Sequence, residues 1–185
     1  MVALDAGRPQ TMNLKDFLTL FIAFREQVVT RRTKFLLNKA RDRAHILVGL
    51  AIAVANIDEI IRVIRTSPDP NTARDTLMSR DWPARDVEAM IMLIDDPRHR
   101  MAPDGTARLS LEQARAILEL RLQRLTALGR EEISEELDKL AVEIADYLDI
   151  LRSRARVQAI IKEELAAVKD EFATPRKTVI IEQEG

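Results

Sequence analysis

Two long segments of this 185-residue chain, Thr30–Ile64 and Arg130–Phe172, carry apolar side chains in alternating steps of three and four residues. This spacing places the apolar side chains on one stripe of a helix, and a stripe of such length is typical of a coiled coil. Because residues 65–129 separate the two segments, the sequence predicts two helices that pair antiparallel within one chain. The side chains expected along the seam are Leu36, Ala40, Leu47, Leu50, Val54 and Ile57 on the first helix, and Leu137, Leu140, Ile144 and Leu151 on the second.

The charge distribution favours the same pairing. Lys15–Arg65 contains ten basic and five acidic residues, whereas Leu128–Phe172 contains seven basic and twelve acidic residues. Opposite charges favour this partner over self-pairing, although each exposed ion pair contributes only about 0.2–1 kcal/mol. The alternative is that the two helical faces are solvated independently, which would leave both apolar stripes uncovered.

The segment between the two helices predicts a small helical head. Pro68 and Pro70 end the first helix, because a proline lacks the backbone N–H that a helix interior requires. Ser110 and Gln113 match the capping-box pattern and open a further helix, which we expect to continue to Leu128. Residues 95–108 contain prolines, a glycine and many charges, so we expect an exposed loop there.

The start of the chain predicts a junction segment. Turn chemistry over Asp5–Pro9, between short apolar pieces, indicates a short β-hairpin, and Asn13 is a suitable helix N-cap. The β-branched and charged run Val28–Thr33 favours a kink or a break before the long helix. The domains expected are an N-terminal junction over 1–29, a first arm helix over 30–66, a globular helical head over 67–129, a second arm helix over 130–173 and a tail over 174–185.

The predicted fold class is therefore all-α: a long antiparallel two-helix coiled coil capped by a small helical head, with a β-hairpin at the N-terminus. Composition agrees, since 32% of residues are charged, 46% are hydrophobic and only 4% are aromatic. The sequence has no cysteine, which excludes a disulfide framework and fits a cytoplasmic protein. The apolar runs are too short to cross a membrane, so we expect no membrane partner.

The sequence offers little chemistry. We expect no catalytic, cofactor-binding or metal-ligating residues, because His45 and His99 have no partners at metal-ligand spacing and Tyr147 falls on the seam. The basic run Arg31–Lys34 suits phosphates, but a solvated face that pairs with the acidic helix is the favoured interpretation. Trp82 is expected to anchor the core of the head.

Three stretches resemble the A subunit of the bacterial type IIA topoisomerases, and together they cover most of the chain. They are NLKDFLTLFIAFREQVVTRRTKFLLNKARDRAHILVGLAIAVANIDEIIRVIR (13–65), LSLEQARAILELRLQRLTALGREEI (109–133) and SRARVQAIIKEELAAVKDEF (153–172). Within this family, the form RRTKFLLNKARDRAHIL is more similar to DNA gyrase than to topoisomerase IV. Residues 82–108 resemble the family least.

The resemblance implies the coiled-coil arm and the exit gate, or C-gate, of such an enzyme. In this family the DNA-cleaving tyrosine lies on an upstream winged-helix domain whose motif is absent here, and Mg²⁺ and ATP act on other domains. The implied partners are a second copy of the same chain, the B subunit in an A2B2 assembly, and the DNA duplex that leaves through the gate. The implied location is the bacterial cytoplasm, in association with the nucleoid.

Two other classes of function stay open on the residues alone. One is a non-enzymatic coiled-coil scaffold or adaptor, and the other is a helical protein that binds nucleic acid. For the gate, we expect a two-fold dimer interface in the head, because the helix after Ser110 is apolar on more than one face. The residues assigned to this interface are Leu120, Arg121, Arg124, Leu125 and Leu128.

Overall fold

The computed structural model of the protein describes residues 1–94, 96, 98, 101–120, 129–179 and 181. Most of these residues are helical, as predicted. In chain order the elements are β1 (Val2–Asp5), β2 (Arg8–Thr11), α1 (Leu14–Ala55), α2 (Ile57–Thr66), α3 (Pro70–Ser79), β3 (Trp82–Pro83), a 3₁₀ turn (Arg85–Val87), α4 (Glu88–Ile94), β4 (Thr106–Ala107), α5 (Leu111–Glu119), α6 (Arg130–Arg152) and α7 (Arg154–Phe172).

The predicted N-terminal hairpin is confirmed. Strands β1 and β2 pair antiparallel, with Val2 opposite Thr11 and Asp5 opposite Arg8. The two-residue turn places Ala6 at φ 48° and Gly7 at φ 80°. Two positive φ angles in succession match the twist of a tight hairpin, and Gly7 adopts its angle without steric cost.

Helix α1 runs without a break for 42 residues, so the predicted interruption at Val28–Thr33 is wrong. The β-branched side chains of Val29 and Thr33 are buried there, and the Thr33 hydroxyl donates a hydrogen bond to the Val29 carbonyl. Tertiary packing therefore offsets the weak helix propensity of this run. Asn13 begins the helix as predicted: its side chain accepts a hydrogen bond from the Asp16 N–H at 2.9 Å, and the Asp16 carboxylate accepts one from the Asn13 N–H at 3.2 Å.

The first arm helix was predicted to continue to residue 64, but it is interrupted at Asn56. This residue leaves the helical conformation, with φ −121° and ψ 33°. Its side-chain amide donates hydrogen bonds to the carbonyls of Ile52 and Pro83. These bonds offset the cost of the break, because one satisfies a backbone acceptor in the last turn of α1 and the other joins the break to β3.

The second arm helix was predicted as one piece, and the structure divides it at Ser153. Ser153 is extended, with φ −124° and ψ 107°, and its hydroxyl accepts a hydrogen bond from the Arg156 N–H. A serine in this conformation is a favourable N-cap, so it ends α6 and begins α7. The apolar spacing alone did not reveal the cap.

The chain forms two compact units, 1–34 with 149–185 and 35–148. In the first unit, Glu26 binds Arg154 and Gln158, while Glu164 binds both Arg25 and Arg32. In a continuous antiparallel pair, residues later on one helix meet residues earlier on the other. Since Glu26 contacts Arg154 and Gln158, Glu164 would then lie beside a residue well before Glu26. Because Glu164 contacts Arg32, α7 does not follow that order, and the prediction is wrong for this segment.

In the second unit, Arg43 on α1 binds Glu136 on α6 through two hydrogen bonds of 2.7 and 3.0 Å. The coiled-coil seam and the division into junction, arm, head and tail remain predictions. The ten seam side chains divide by exposure: Ala40, Leu47, Leu50, Leu137 and Ile144 are buried, and Leu36, Val54, Ile57, Leu140 and Leu151 are half-buried.

The core of the second unit lies among α1, α2, α3, α5 and α6. Its largest fully buried side chains are Val48, Ile52, Ile60, Leu77, Val87, Gln113, Ile117, Ile133 and Leu137. Trp82 is also buried, and its indole N–H donates a hydrogen bond of 2.8 Å to the Leu77 carbonyl. Trp82 therefore ties β3 to the last turn of α3.

Within the region predicted as an exposed loop over 95–108, the described residues include a short strand and buried side chains. Strand β4 pairs antiparallel with β3, placing Ala107 opposite Trp82. Asp96 and Ala107 are buried, while residues 95, 97, 99 and 100 lie outside the described residues. The prolines and charges predicted a loop, but they did not reveal that Trp82 provides a strand partner.

Candidate functional site

Helix α5 is the described element that leads into the predicted dimer surface. It begins with the predicted capping box. The Ser110 hydroxyl accepts a hydrogen bond from the Gln113 N–H at 3.2 Å, and the Gln113 side-chain carbonyl accepts one from the Ser110 N–H at 2.9 Å. These two bonds satisfy backbone donors that the first turn of a helix leaves unpaired.

The Gln113 side chain also joins α5 to α1. Its amide nitrogen donates a hydrogen bond of 2.7 Å to the main-chain carbonyl of His45, and the residue is fully buried. Gly49 lies one helical turn after His45, and a Cβ atom at this position would come within 2.5 Å of the Gln113 Cγ. The glycine therefore leaves room for a side chain that reaches the α1 backbone.

His45 adds a second link between the same helices. Its ring is buried, and its Nε2 lies 2.8 Å from the Ser110 Oγ. Burial lowers the pKa of His45, and the positive charge of Arg98 lowers it further. The neutral ring is therefore favoured near pH 7.

Asp96 and Arg98 form a charged cluster beside this histidine. The guanidinium of Arg98 binds the Asp96 carboxylate at 2.7 Å and the Asp42 carboxylate at 2.7 Å. Burial alone would raise the pKa of Asp96, but hydrogen bonds from the Arg98 side chain and backbone outweigh this effect and lower it. The hydrogen bond with Asp96 raises the pKa of Arg98. The carboxylate is thus charged and paired although it is buried.

Ser110, His45 and Asp96 include the residue types of a hydrolytic triad, but their geometry serves a structural role. The His45 Nδ1 lies 3.9 Å from the Asp96 Oδ2, which is too long for the hydrogen bond that orients a catalytic histidine. The Ser110 hydroxyl is also engaged as a helix cap. The group therefore links the start of α5 to α1.

The predicted interface is only partly within the described residues. Leu120 is half-buried and extended, with φ −72° and ψ 131°, so α5 ends at Glu119 rather than continuing to Leu128 as predicted. Leu120 lines an open groove of about 540 Å³ together with Ile46 and Leu50 of α1. Arg121, Arg124, Leu125 and Leu128 lie outside the described residues, and the assignment of all five residues to an interface remains a prediction.

The basic run of α1 lies on a solvated face. Arg31, Arg32 and Lys34 are exposed, and Arg32 binds Glu164 at 2.6 Å. The hydrogen bond from Arg32 lowers the pKa of Glu164. This pairing agrees with the interpretation that basic side chains of the first helix meet acidic residues of the later helices.

Two other residues were considered for chemistry in the sequence, Tyr147 and His99. Tyr147 is half-buried on α6, and His99 lies outside the described residues. Among the residues that the structure describes, no three His, Cys, Asp or Glu side chains lie close enough together to hold a metal ion. Within the same ranges, no helix combines the length and apolar character needed to cross a bilayer.

Sequence reasoning identified the cap formed by Ser110 and Gln113 but missed the contact of Gln113 with α1. Two sequence signals are related to this contact. One is Gly49 within the apolar run of α1, and the other is Gln113, whose side chain the cap directs inward. Neither signal specifies which helix the glutamine meets, because that depends on tertiary packing.

The chain is thus mostly helical, with an N-terminal hairpin, a 42-residue helix and a capped α5. The chain belongs to the family of DNA gyrase and topoisomerase IV A subunits, whose model matches residues 1–166.

Individual relatives are DNA gyrase A subunits. The chain is 54% identical to the DNA gyrase A subunit of Granulibacter bethesdensis, and the match covers 97% of this chain and 19% of the relative. It is 53% identical to that of Rickettsia bellii, with 97% of the chain and 20% of the relative covered. It is 44% identical to that of Pseudomonas aeruginosa, with 98% and 20% covered. The chain therefore spans about a fifth of the length of the curated relatives that it matches.

Proposed function

We propose that this chain is the exit-gate and dimerisation module of a DNA gyrase A subunit. The observation that carries the proposal is its similarity to gyrase A subunits over 97% of its length. That similarity includes the stretches that resemble the arm and the exit gate of type IIA topoisomerases. In the proposed role, two copies meet through their heads on a two-fold axis, and their separation releases the transported duplex.

Two structural features support a module of this kind. Helix α1 is a single unbroken helix of 42 residues, which suits the first helix of the proposed arm. Leu120 is half-buried beside an open groove, so part of its apolar surface is available for a second copy.

The proposal assigns the chemistry to other parts of the complete enzyme. On its own, the chain neither cleaves nor relaxes supercoiled DNA, with or without ATP and Mg²⁺, because Tyr147 is a packed residue rather than a nucleophile. In the cell it acts in the bacterial cytoplasm as part of an A2B2 assembly with the B subunit. The complete enzyme passes one DNA duplex through another, which makes it an ATP-dependent isomerase that introduces negative supercoils.

The test combines oligomeric state with an activity assay. Light scattering over a concentration series should show a dimer at micromolar concentration, because a gate must close on itself. Incubation of the chain with supercoiled plasmid, ATP and Mg²⁺ should leave the plasmid unchanged. A chain that stays monomeric throughout the series contradicts the proposal, as does plasmid cleavage that disappears in Tyr147→Phe.

A further inference from the structure

We propose that Gln113 is a positioning residue of the gate: its buried amide fixes α5 against α1 and thereby sets the position of Leu120 in the dimer contact. This inference rests on the proposed function. It adds a specific residue, remote from the predicted contact, on which the strength of the dimer depends.

Helix α5 requires such a contact because it is short. It has nine residues, and an isolated helix shorter than about 12–15 residues is marginal in water. Its position therefore depends on what it packs against. Ala114 and Ile117 are buried on the same helix, but apolar contacts have no preferred direction and permit sliding more readily than hydrogen bonds do.

Gln113 supplies a directional contact within α5 itself, in addition to the hydrogen bond of 2.8 Å between His45 and the Ser110 cap. Its oxygen accepts from the Ser110 N–H at 2.9 Å, and its nitrogen donates to the His45 carbonyl at 2.7 Å. The first bond fixes the side chain relative to the start of α5, and the second fixes it relative to α1. Rotation or translation of α5 would stretch the second bond inside a buried environment, where a lost hydrogen bond is costly.

The position of Leu120 follows from this anchor. Leu120 comes directly after Glu119, the last residue of α5, and lies seven residues from Gln113. At the helical rise of about 1.5 Å per residue, this distance is about 10 Å along the helix. A small tilt of α5 at Gln113 is therefore transmitted to Leu120, while the side chain of Gln113 itself stays inside the unit.

The test is the substitution Gln113→Met, which keeps the approximate shape of the side chain and removes both hydrogen bonds. Gln158→Met is the matched control, because Gln158 is exposed and its amide binds Glu26 in the first unit. Sedimentation equilibrium, at a temperature where circular dichroism shows all proteins folded, gives the dimer dissociation constants. We expect Gln113→Met to raise this constant about tenfold, the factor that corresponds to about 1.4 kcal/mol. The control should stay within about twofold of the wild type.

A second variant separates positioning from a general loss of stability. In Gln113→Glu, the ionised carboxylate has no donor for the His45 carbonyl, whereas the protonated carboxyl group has both a donor and an acceptor. Burial raises the pKa of such a carboxyl group, so the dimer of this variant should strengthen as the pH falls from about 8 to about 5. Because Asp42, Asp96, Arg98 and Glu112 surround His45, the wild type is measured over the same range and its change is subtracted.

The outcomes distinguish failure of the proposed function from failure of the positioning role of Gln113. A wild-type chain that never dimerises contradicts the proposed function and with it this inference. A wild-type dimer whose dissociation constant is unchanged in Gln113→Met overturns the positioning role alone. The same conclusion follows if the melting temperature of Gln113→Met falls while the dissociation constant stays the same, or if Gln113→Glu shows no recovery at low pH.

Discussion

Replacing Trp82 with phenylalanine tests the packing of the second unit directly. The indole is 2% exposed, and its N–H donates a hydrogen bond of 2.8 Å to the carbonyl of Leu77. That carbonyl lies in the last turn of α3, where no later N–H group of the helix is available to donate a hydrogen bond to it. Phenylalanine keeps an aromatic ring in the core but has no donor, so the substitution leaves the carbonyl buried without this partner.

The expected cost has two parts. Leaving a buried acceptor unsatisfied costs about 1–3 kcal/mol, and the smaller ring leaves unfilled space that adds about 1 kcal/mol. Trp82→Phe should therefore lower the free energy of unfolding by about 2–4 kcal/mol. For a chain of this size, the melting temperature would fall by roughly 5–15 °C.

Urea and thermal unfolding followed by circular dichroism measure this change. Met92→Ala is the control, since Met92 is 72% exposed and surface substitutions of this kind usually change stability by less than about 0.5 kcal/mol. Trp82 is the only tryptophan of the chain, so the fluorescence of the wild type reports unfolding of the second unit. A Trp82→Phe protein as stable as the wild type would refute the argument that the indole N–H is needed at the end of α3.

Three further predictions concern individual side chains. The pKa of His45 is lowered in the folded protein, mainly by burial, so the unfolded chain takes up a proton first as the pH falls. The free energy of unfolding should therefore decrease as the pH drops below about 6.5. His45→Gln should reduce this decrease in unfolding curves measured over a pH series. The pKa of Glu164 is also lowered, through Arg32, so its contribution is present above its unfolded pKa of 4.5 and is lost as the pH falls through the folded value. Glu164→Gln should cost less than about 1 kcal/mol, because the pair is partly exposed, and added salt should shrink the difference from the wild type in urea titrations. Ser153→Ala removes the N-cap of α7 and should cost about 0.5–2 kcal/mol, whereas an unchanged urea midpoint would show that the cap does not stabilise α7.

The features that short-range chemistry specifies could be predicted. The hairpin follows from the turn residues near Gly7, and the start of α5 follows from the spacing of Ser110 and Gln113. In each case the side chains that define the element lie within a few residues of one another. Local hydrogen bonding and φ preferences are then sufficient to place it.

The features that depend on distant contacts could not be predicted. Helix α1 passes through a weak run because Val29 and Thr33 are buried, and burial is a property of the tertiary fold. The break at Ser153 lies within a regular apolar rhythm, so periodicity favoured one continuous helix over two. The contact between Gln113 and the His45 carbonyl joins residues 68 positions apart, which no local pattern specifies.

Leu120→Glu tests the dimer in the head, which is the central claim of this account. A residue near a two-fold axis meets its own copy, so a carboxylate placed there is repelled by its symmetry mate and desolvated. Leu165→Glu is the control, because Leu165 is exposed on α7 in the first unit. Sedimentation equilibrium of the three proteins, with circular dichroism to confirm equal helix content, is the decisive measurement. We expect the wild type and Leu165→Glu to be dimers at micromolar concentration and Leu120→Glu to be a folded monomer; a Leu120→Glu dimer as strong as the wild type would contradict the claim.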